Sequence, residues 1–249
     1  MTARLKKFCL IATARTGSNY VRGLLRFPGS VFHGELFNRE RQVPRIKPIP
    51  DPGLTLDDRD RDPIGFLETI ERLTLEHARV CGFKLMIQHH PPMLEYVLSS
   101  EDYGLIVLSR RNKLAQYSSR AIARASGVWH VQRGEPQPLE RKIRFDSPTF
   151  AAFLFENKGD YASVLPRLEG SPHRFHALEY TRIRSTESVE GLLRFVGVRP
   201  RCTIPEMIAR NASQQQNTSR IVDRFSNPEE VVAAMRAMGH EDWLTEETP

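Results

Sequence analysis

Short apolar runs that break off into a polar turn and resume at helical spacing constrain this chain more than any other feature. The first run, Phe8-Cys9-Leu10-Ile11-Ala12, has the length of a buried strand rather than a helix. Thr13–Asn19 follows, small and hydroxyl-rich with one cation in it, and Tyr20, Val21, Leu24 and Leu25 then recur on one helical face. Arg79–Gln88 reads as a second core strand, stopped by His89-His90-Pro91-Pro92 because proline cannot continue a central strand. Tyr103–Ser109 is a third, apolar through its middle as strands buried on both faces are. After it, Leu114, Tyr117, Ala121 and Ile122 share a helix face. Arg174–Tyr180 is a fourth strand. Helices are expected over 64–78, 93–98, 147–167 (opened by Ser147-Pro148), 185–196 (closed by Gly197) and 228–238. Strands alternating with helices predict an α/β chain with a parallel sheet. Its 249 residues suit one domain spanning the whole sequence.

Between these elements lie stretches without sustained periodicity. Arg39–Asp62, rich in proline and charge, reads as a surface excursion. Val128–Asp146 reads as a loop able to cover a site, and Arg210–Phe225 as a polar loop. No apolar run approaches a membrane span and no signal-peptide core follows Met1–Lys7, so a soluble, cytoplasmic protein is expected. The three cysteines are far apart without a CxxC pair, which argues against a disulfide framework or a cysteine metal site. His89 and His90 lack a spaced partner, so no metal is expected. The net charge of +6 favours anionic partners. Nucleic acid is the weaker of these, because no dense basic block carries interleaved aromatics.

The first turn carries the chemistry. A helix start offers unpaired N–H groups and partial positive charge. Gly17 permits close backbone approach, Thr16 and Ser18 bring hydroxyls, and Arg15 adds a forked cation suited to phosphate or sulfate. The turn lacks the first glycine and the lysine of a Walker A loop. The competing reading is an ordinary strand-to-helix turn capped by Thr16 or Ser18.

Two separated motifs point further: Arg15-Thr16-Gly17-Ser18-Asn19-Tyr20, and Arg111-Asn112 followed by Ser119 eight residues after the arginine. Together they resemble the phosphate-binding motifs of sulfotransferases that use 3′-phosphoadenosine 5′-phosphosulfate (PAPS). His33-Gly34-Glu35-Leu36-Phe37-Asn38, Gly82-Phe83-Lys84, His176-Ala177-Leu178-Glu179-Tyr180, Leu192–Gly197 and Gln216-Asn217-Thr218-Ser219-Arg220 are similar, in order, to the bacterial carbohydrate sulfotransferases of the nodulation-factor, glycolipid and lipopolysaccharide type. The turn departs from that pattern at Ala14 and Arg15, and Lys113 follows Asn112 where proline is frequent.

The resemblance implies a P-loop-like three-layer fold, with a mainly parallel central sheet flanked by helices. It also implies sulfuryl transfer from PAPS to a carbohydrate or glycolipid hydroxyl, releasing 3′,5′-adenosine bisphosphate without a metal. It gives the 5′-phosphosulfate to Arg15 through Tyr20 and the 3′-phosphate to Arg111 and Ser119, with Gln216, Thr218, Ser219 and Arg220 as a second nucleotide loop. Glu35 becomes the general base and His33 its rival, while Lys84 and Trp129 are candidate substrate contacts. Arg110 stands beside Arg111, and the sequence does not separate them. The alternatives are a divergent P-loop small-molecule kinase and a non-catalytic nucleotide- or nucleic-acid-binding module.

Overall fold

A computed structural model describes residues 6–38, 53–129, 142–169, 172, 174–211 and 218–246. The chain runs β1 (Lys7–Ala12), α1 (Ser18–Leu24), β2 (Ser30–Glu35), α2 (Leu56–Arg61), α3 (Pro63–His77), β3 (Val80–Met86), α4 (Pro91–Ser99), β4 (Tyr103–Ser109), α5 (Lys113–Ser126), α6 (Ser147–Ala162), α7 (Leu165–Leu168), β5 (Phe175–Glu179), α8 (Thr186–Val196), α9 (Ile204–Asn211) and α10 (Pro228–Met238). Short 3₁₀ turns occupy Tyr180–Arg182, Ile221–Arg224 and Glu241–Leu244. The five strands form one parallel sheet in the order β2-β3-β1-β4-β5, as the alternating pattern predicts, flanked by helices in the three-layer α/β arrangement expected from the resemblance.

The side-chain period of two divides the central strands β1, β3 and β4 between two cores. Cys9, Ile11, Phe83, Leu85, Leu105 and Val107 pack against Phe66, Leu67 and Ile70 of α3, Met93, Leu94 and Val97 of α4, and Tyr161 of α6. Phe8, Leu10, Phe32, Ile106 and Leu108 pack against Tyr20, Val21 and Leu24 of α1, Leu192, Leu193 and Val196 of α8, and Met207 of α9. A third cluster stands apart from the strands. Leu114 and Tyr117 of α5 and Phe150 and Phe153 of α6 enclose Ile221, Phe225, Val231, Met235 and Trp243. That cluster folds the C-terminal residues back beside the start of α5.

Several local readings change. A fifth strand, β2, occupies Ser30–Glu35, and α2 lies inside the excursion, opened by a capping box between Thr55 and Asp58. α6 is capped by Asp146, whose carboxylate accepts from the Thr149 N–H at 2.9 Å, so the helix begins at Ser147 rather than being capped by it. The expected 147–167 helix is divided into α6 and α7, and α9 begins before the expected polar loop of 210–225. Most of the two excursions, 39–52 and 130–141, lies outside the described residues. Among the described residues no helix is long and apolar enough to cross a membrane.

Candidate functional site

The strand order fixes where a site belongs. The chain leaves β1 toward β2 on one side, and β4 toward β5 on the other. The carboxyl ends of β1 and β4 therefore border the reversal point where open α/β sheets hold ligands. Thr13–Gly17 leaves β1 there. Arg15 takes φ 67° and Gly17 φ 83°, left-handed conformations that build anion-binding concavities from backbone N–H groups. The ordinary capped turn is not what forms: α1 starts without a side-chain cap, and the Thr16 hydroxyl donates to the Thr13 carbonyl at 2.9 Å. A Cβ on Gly17 would lie 2.7 Å from Ile183 Cδ1 and 3.1 Å from the Tyr180 ring. Only glycine meets both demands at that position.

Lys84 closes one side of the loop. On β3 it shares a face with Val80 and Met86, the face that α1 covers. Its side chain is 2% exposed, and the Nζ donates to Asn19 Oδ1 at 2.5 Å, reaches Ser18 Oγ at 3.5 Å and pairs with Glu35 Oε1 at 2.8 Å. Glu35 gets there by a bulge. Phe32 pairs with Gly82 but Glu35 pairs with Lys84, three steps along β2 against two along β3. The extra residue turns Glu35 from the α3 face to the Lys84 face. Its other oxygen accepts from Asn38 Nδ2 at 2.7 Å and lies 3.9 Å from His89 Nδ1.

Cations crowd the other side. Arg15 Nε donates to Ser119 Oγ at 2.8 Å, and its Nη1 to the Trp129 carbonyl at 2.6 Å. Arg110, buried at the end of β4, donates through Nη1 to the Arg15 carbonyl at 2.8 Å and forks onto Glu246. Arg224 is also buried and donates to the Thr218 carbonyl at 3.0 Å and Ser118 Oγ at 3.1 Å. Burial, then the charge of Arg110, pushes the Arg15 guanidinium down to about 10. Burial and Arg110 do the same to Arg224, again to about 10, with Glu246 opposing. The Lys113 ammonium is pushed down to about 8 by burial, with Glu179 opposing and Arg110 adding. Like charges held this close favour a bound anion.

A buried polar network supports the loop from below. Gln116 Nε2 donates to Thr13 Oγ1 and to the Ala14 carbonyl, both at 2.8 Å. Thr13 Oγ1 also meets Asn157 Nδ2 at 3.4 Å and the Tyr161 hydroxyl at 3.2 Å, and that hydroxyl donates to the Leu108 carbonyl at 2.6 Å.

The structure thus brings together Arg15, Thr16, Gly17, Ser18, Asn19, Lys84, Glu35 and Ser119. Other expected residues sit differently. His33 points to the far face, where its Nε2 meets Thr74 Oγ1 at 2.9 Å, and burial, then Arg22 and Arg26, pushes it down to about 4. Tyr20 is a core residue, its ring facing Arg184 at 5.2 Å. Trp129 enters by its carbonyl rather than its ring. Arg111, with a side chain 83% exposed, lies 4.0 Å from Asp242, and it is Arg110 that touches the loop. Thr218 and Ser219 adjoin the site through carbonyls that accept from Arg224 and the Glu246 N–H, while Arg220 pairs with Asp223 at 3.5 Å near the surface. Gln216 and His130 lie outside the described residues.

Gln116, Arg224 and Glu246 went unread in the sequence. Asn112, Gln116 and Ser119 fall at helical spacing along one polar stripe, a signal that could have found Gln116. Nothing local marks Glu246. The assembled arrangement can bind a multiply charged anion along the loop and present a carboxylate beside it. No protein-family model matches the chain, and no curated protein matches it.

Proposed function

We propose that this protein transfers a sulfuryl group from PAPS to a hydroxyl of a carbohydrate or glycolipid. The observation that carries the reading is the 2.8 Å hydrogen bond from Arg15 to Ser119. Two motifs 104 residues apart, matched to the two anionic ends of one nucleotide, meet at the reversal point of the sheet. The Lys84 bridge between Asn19 and Glu35 adds the second support, because it sets a carboxylate against the loop.

The roles follow from the chemistry. The loop N–H groups, Arg15, Ser18 and Lys84 neutralise the phosphosulfate end, and Ser119 and the exposed Arg111 the 3′-phosphate. Sulfuryl transfer breaks the bond from sulfur to the phosphate oxygen and forms one to the acceptor oxygen in line, so positioning and charge stabilisation do most of the work. The acceptor proton passes to Glu35, whose carboxylate stands beside the loop at 2.8 Å from Lys84. Lys84 stabilises the charge that collects on the leaving phosphate. His33, buried with its Nε2 against Thr74 on the opposite face of β2, is not the base in this reading.

One observation favours the kinase alternative. The lysine missing from the first loop has a substitute in Lys84, 3.5 Å from Ser18 Oγ. Calorimetry separates the two. 3′,5′-Adenosine bisphosphate should bind the wild type and lose at least about tenfold in affinity in Arg111→Ala and in Ser119→Ala, the scale of a hydrogen bond to a charged group. Glu35→Gln should keep that affinity and lower turnover by roughly 10²–10⁴-fold. Preference for ATP with Mg²⁺, or indifference to the 3′-phosphate, overturns the reading.

A further inference from the structure

Arg15 is the one non-glycine residue with positive φ among the described residues. Such a conformation persists only where its surroundings over-determine it. Its carbonyl accepts a hydrogen bond from Arg110 Nη1 at 2.8 Å. The conformation of the loop therefore depends on what holds that guanidinium.

We infer that Glu246 and Arg110 are positioning residues of the anion loop, and that residues 243–246 are part of the site through them. Glu246 grips Arg110 by two parallel bonds, Nε to Oε1 at 2.8 Å and Nη2 to Oε2. The flat face of the guanidinium lies 3.9 Å from the Tyr180 ring centroid, on the same ring that limits the space at Gly17. With one edge forked and one face stacked, the remaining edge is aimed at the Arg15 carbonyl. A lysine could not do this, because a point charge on a flexible stem has no fixed edges.

Glu246 is itself held. Its N–H donates to the Ser219 carbonyl at 3.0 Å, and Asn112 Nδ2 donates to the carbonyls of Trp243 at 3.1 Å and Thr245 at 3.0 Å. Trp243 is buried in the third apolar cluster. A continuous path of contacts thus runs from that cluster, through the 243–246 strap and the fork, to the loop. Electrostatics makes the fork necessary. Arg110 is buried near Arg15 and Arg224, and a buried cation without a partner among like charges is strongly disfavoured. The edges of Arg110 are taken up by Glu246 on one side and the Arg15 carbonyl on the other, which commits the guanidinium to the protein frame. Its part is to shape the loop.

The inference rests on the reading above only for what the loop binds. The test uses the intact chain with Glu246→Gln and Arg110→Lys. Two quantities are read: hydrogen exchange of the 13–20 amides against those of β1 and β3, and affinity for 3′,5′-adenosine bisphosphate. Both variants should speed exchange across 13–20 while β1 and β3 keep their protection, and both should weaken the nucleotide by about tenfold or more. A merely structural role would move the strands together with the loop, and that result overturns the inference. So would unchanged loop exchange. Tighter binding in Glu246→Gln also overturns it, because the carboxylate would then be a competitor for the anion. If the wild type binds no 3′,5′-adenosine bisphosphate, the donor assignment fails, and the exchange comparison still decides the fork.

Discussion

Replacing Gly17 by alanine asks the loop for two things it cannot supply at once. The residue sits at φ 83°, where a Cβ crowds its own carbonyl at a cost of roughly 1–2 kcal/mol. The new Cβ would also lie 2.7 Å from Ile183 Cδ1, against an ordinary carbon–carbon separation of about 3.5–4.0 Å. Ile183 is buried, so it yields only by repacking, which costs a further 1–3 kcal/mol or so. The expected loss is about 2–5 kcal/mol. Gly127, at φ 71° with nothing within 4 Å of its Cβ, supplies the control. Gly127→Ala should show the conformational cost alone, roughly 1–2 kcal/mol. Urea unfolding followed by far-UV circular dichroism gives both values, and their difference isolates the contact with Ile183 and Tyr180. Equal losses, within about 0.5 kcal/mol, would show that the close approach is relieved without cost and refute the reasoning.

Two further outcomes follow from buried groups. His33 is held down to about 4 from an ordinary 6.5, so below 6.5 the unfolded chain takes up a proton that the folded chain refuses until about 4. Protons then favour unfolding, and stability falls as pH drops through that window, by about 3 kcal/mol from this group. Urea melts at pH 7 and pH 4 should show a smaller drop in His33→Gln, and identical drops would refute the assignment. Burial raises the Cys9 thiol and pushes that of Cys81 up to about 12, while Cys202 is half-buried. A thiol reagent at neutral pH should label Cys202 in the folded protein and the other two only after denaturation. Labelling of Cys81 under native conditions would contradict its burial.

Strands buried on both faces announce themselves as apolar runs, which is why β1, β3 and β4 were legible, while the edge strand β5 was read from a shorter, more polar stretch. β2 was not. Ser30-Val31-Phe32-His33-Gly34-Glu35 is half polar, lies at the sheet edge and breaks register, so neither alternation nor a continuous run marks it. The same break hid the pairing of Glu35 with Lys84, although each residue alone drew notice. The loop was readable because its small residues, hydroxyls and single cation are contiguous. Arg224 and Glu246 were invisible for the opposite reason. Burial of Phe225 and Trp243 against Tyr117 and Phe150 brings them to the loop, a tertiary event with no local spacing to betray it. Where Arg111 and Arg110 stand adjacent, the sequence offers two equal cations. Their different fates, one exposed and one stacked on Tyr180, depend on which way the chain turns at the end of β4.

The bulge in β2 makes the pair of Glu35 and Lys84 depend on a residue count. Phe32 and Glu35 are separated by two residues where regular pairing with Gly82 and Lys84 would need one. Losing one codon between them would restore regular pairing and keep Glu35 opposite Lys84. Losing it upstream, before Phe32, would instead slip the whole strand and exchange its faces. Point substitution at Val31 or His33 has no comparable reach. For a chain of this design, then, single-residue insertions and deletions near β2 are the genetic events that can rewire the site. When diverged sequences are compared, the distance from Phe32 to the acidic residue is more telling than what fills it.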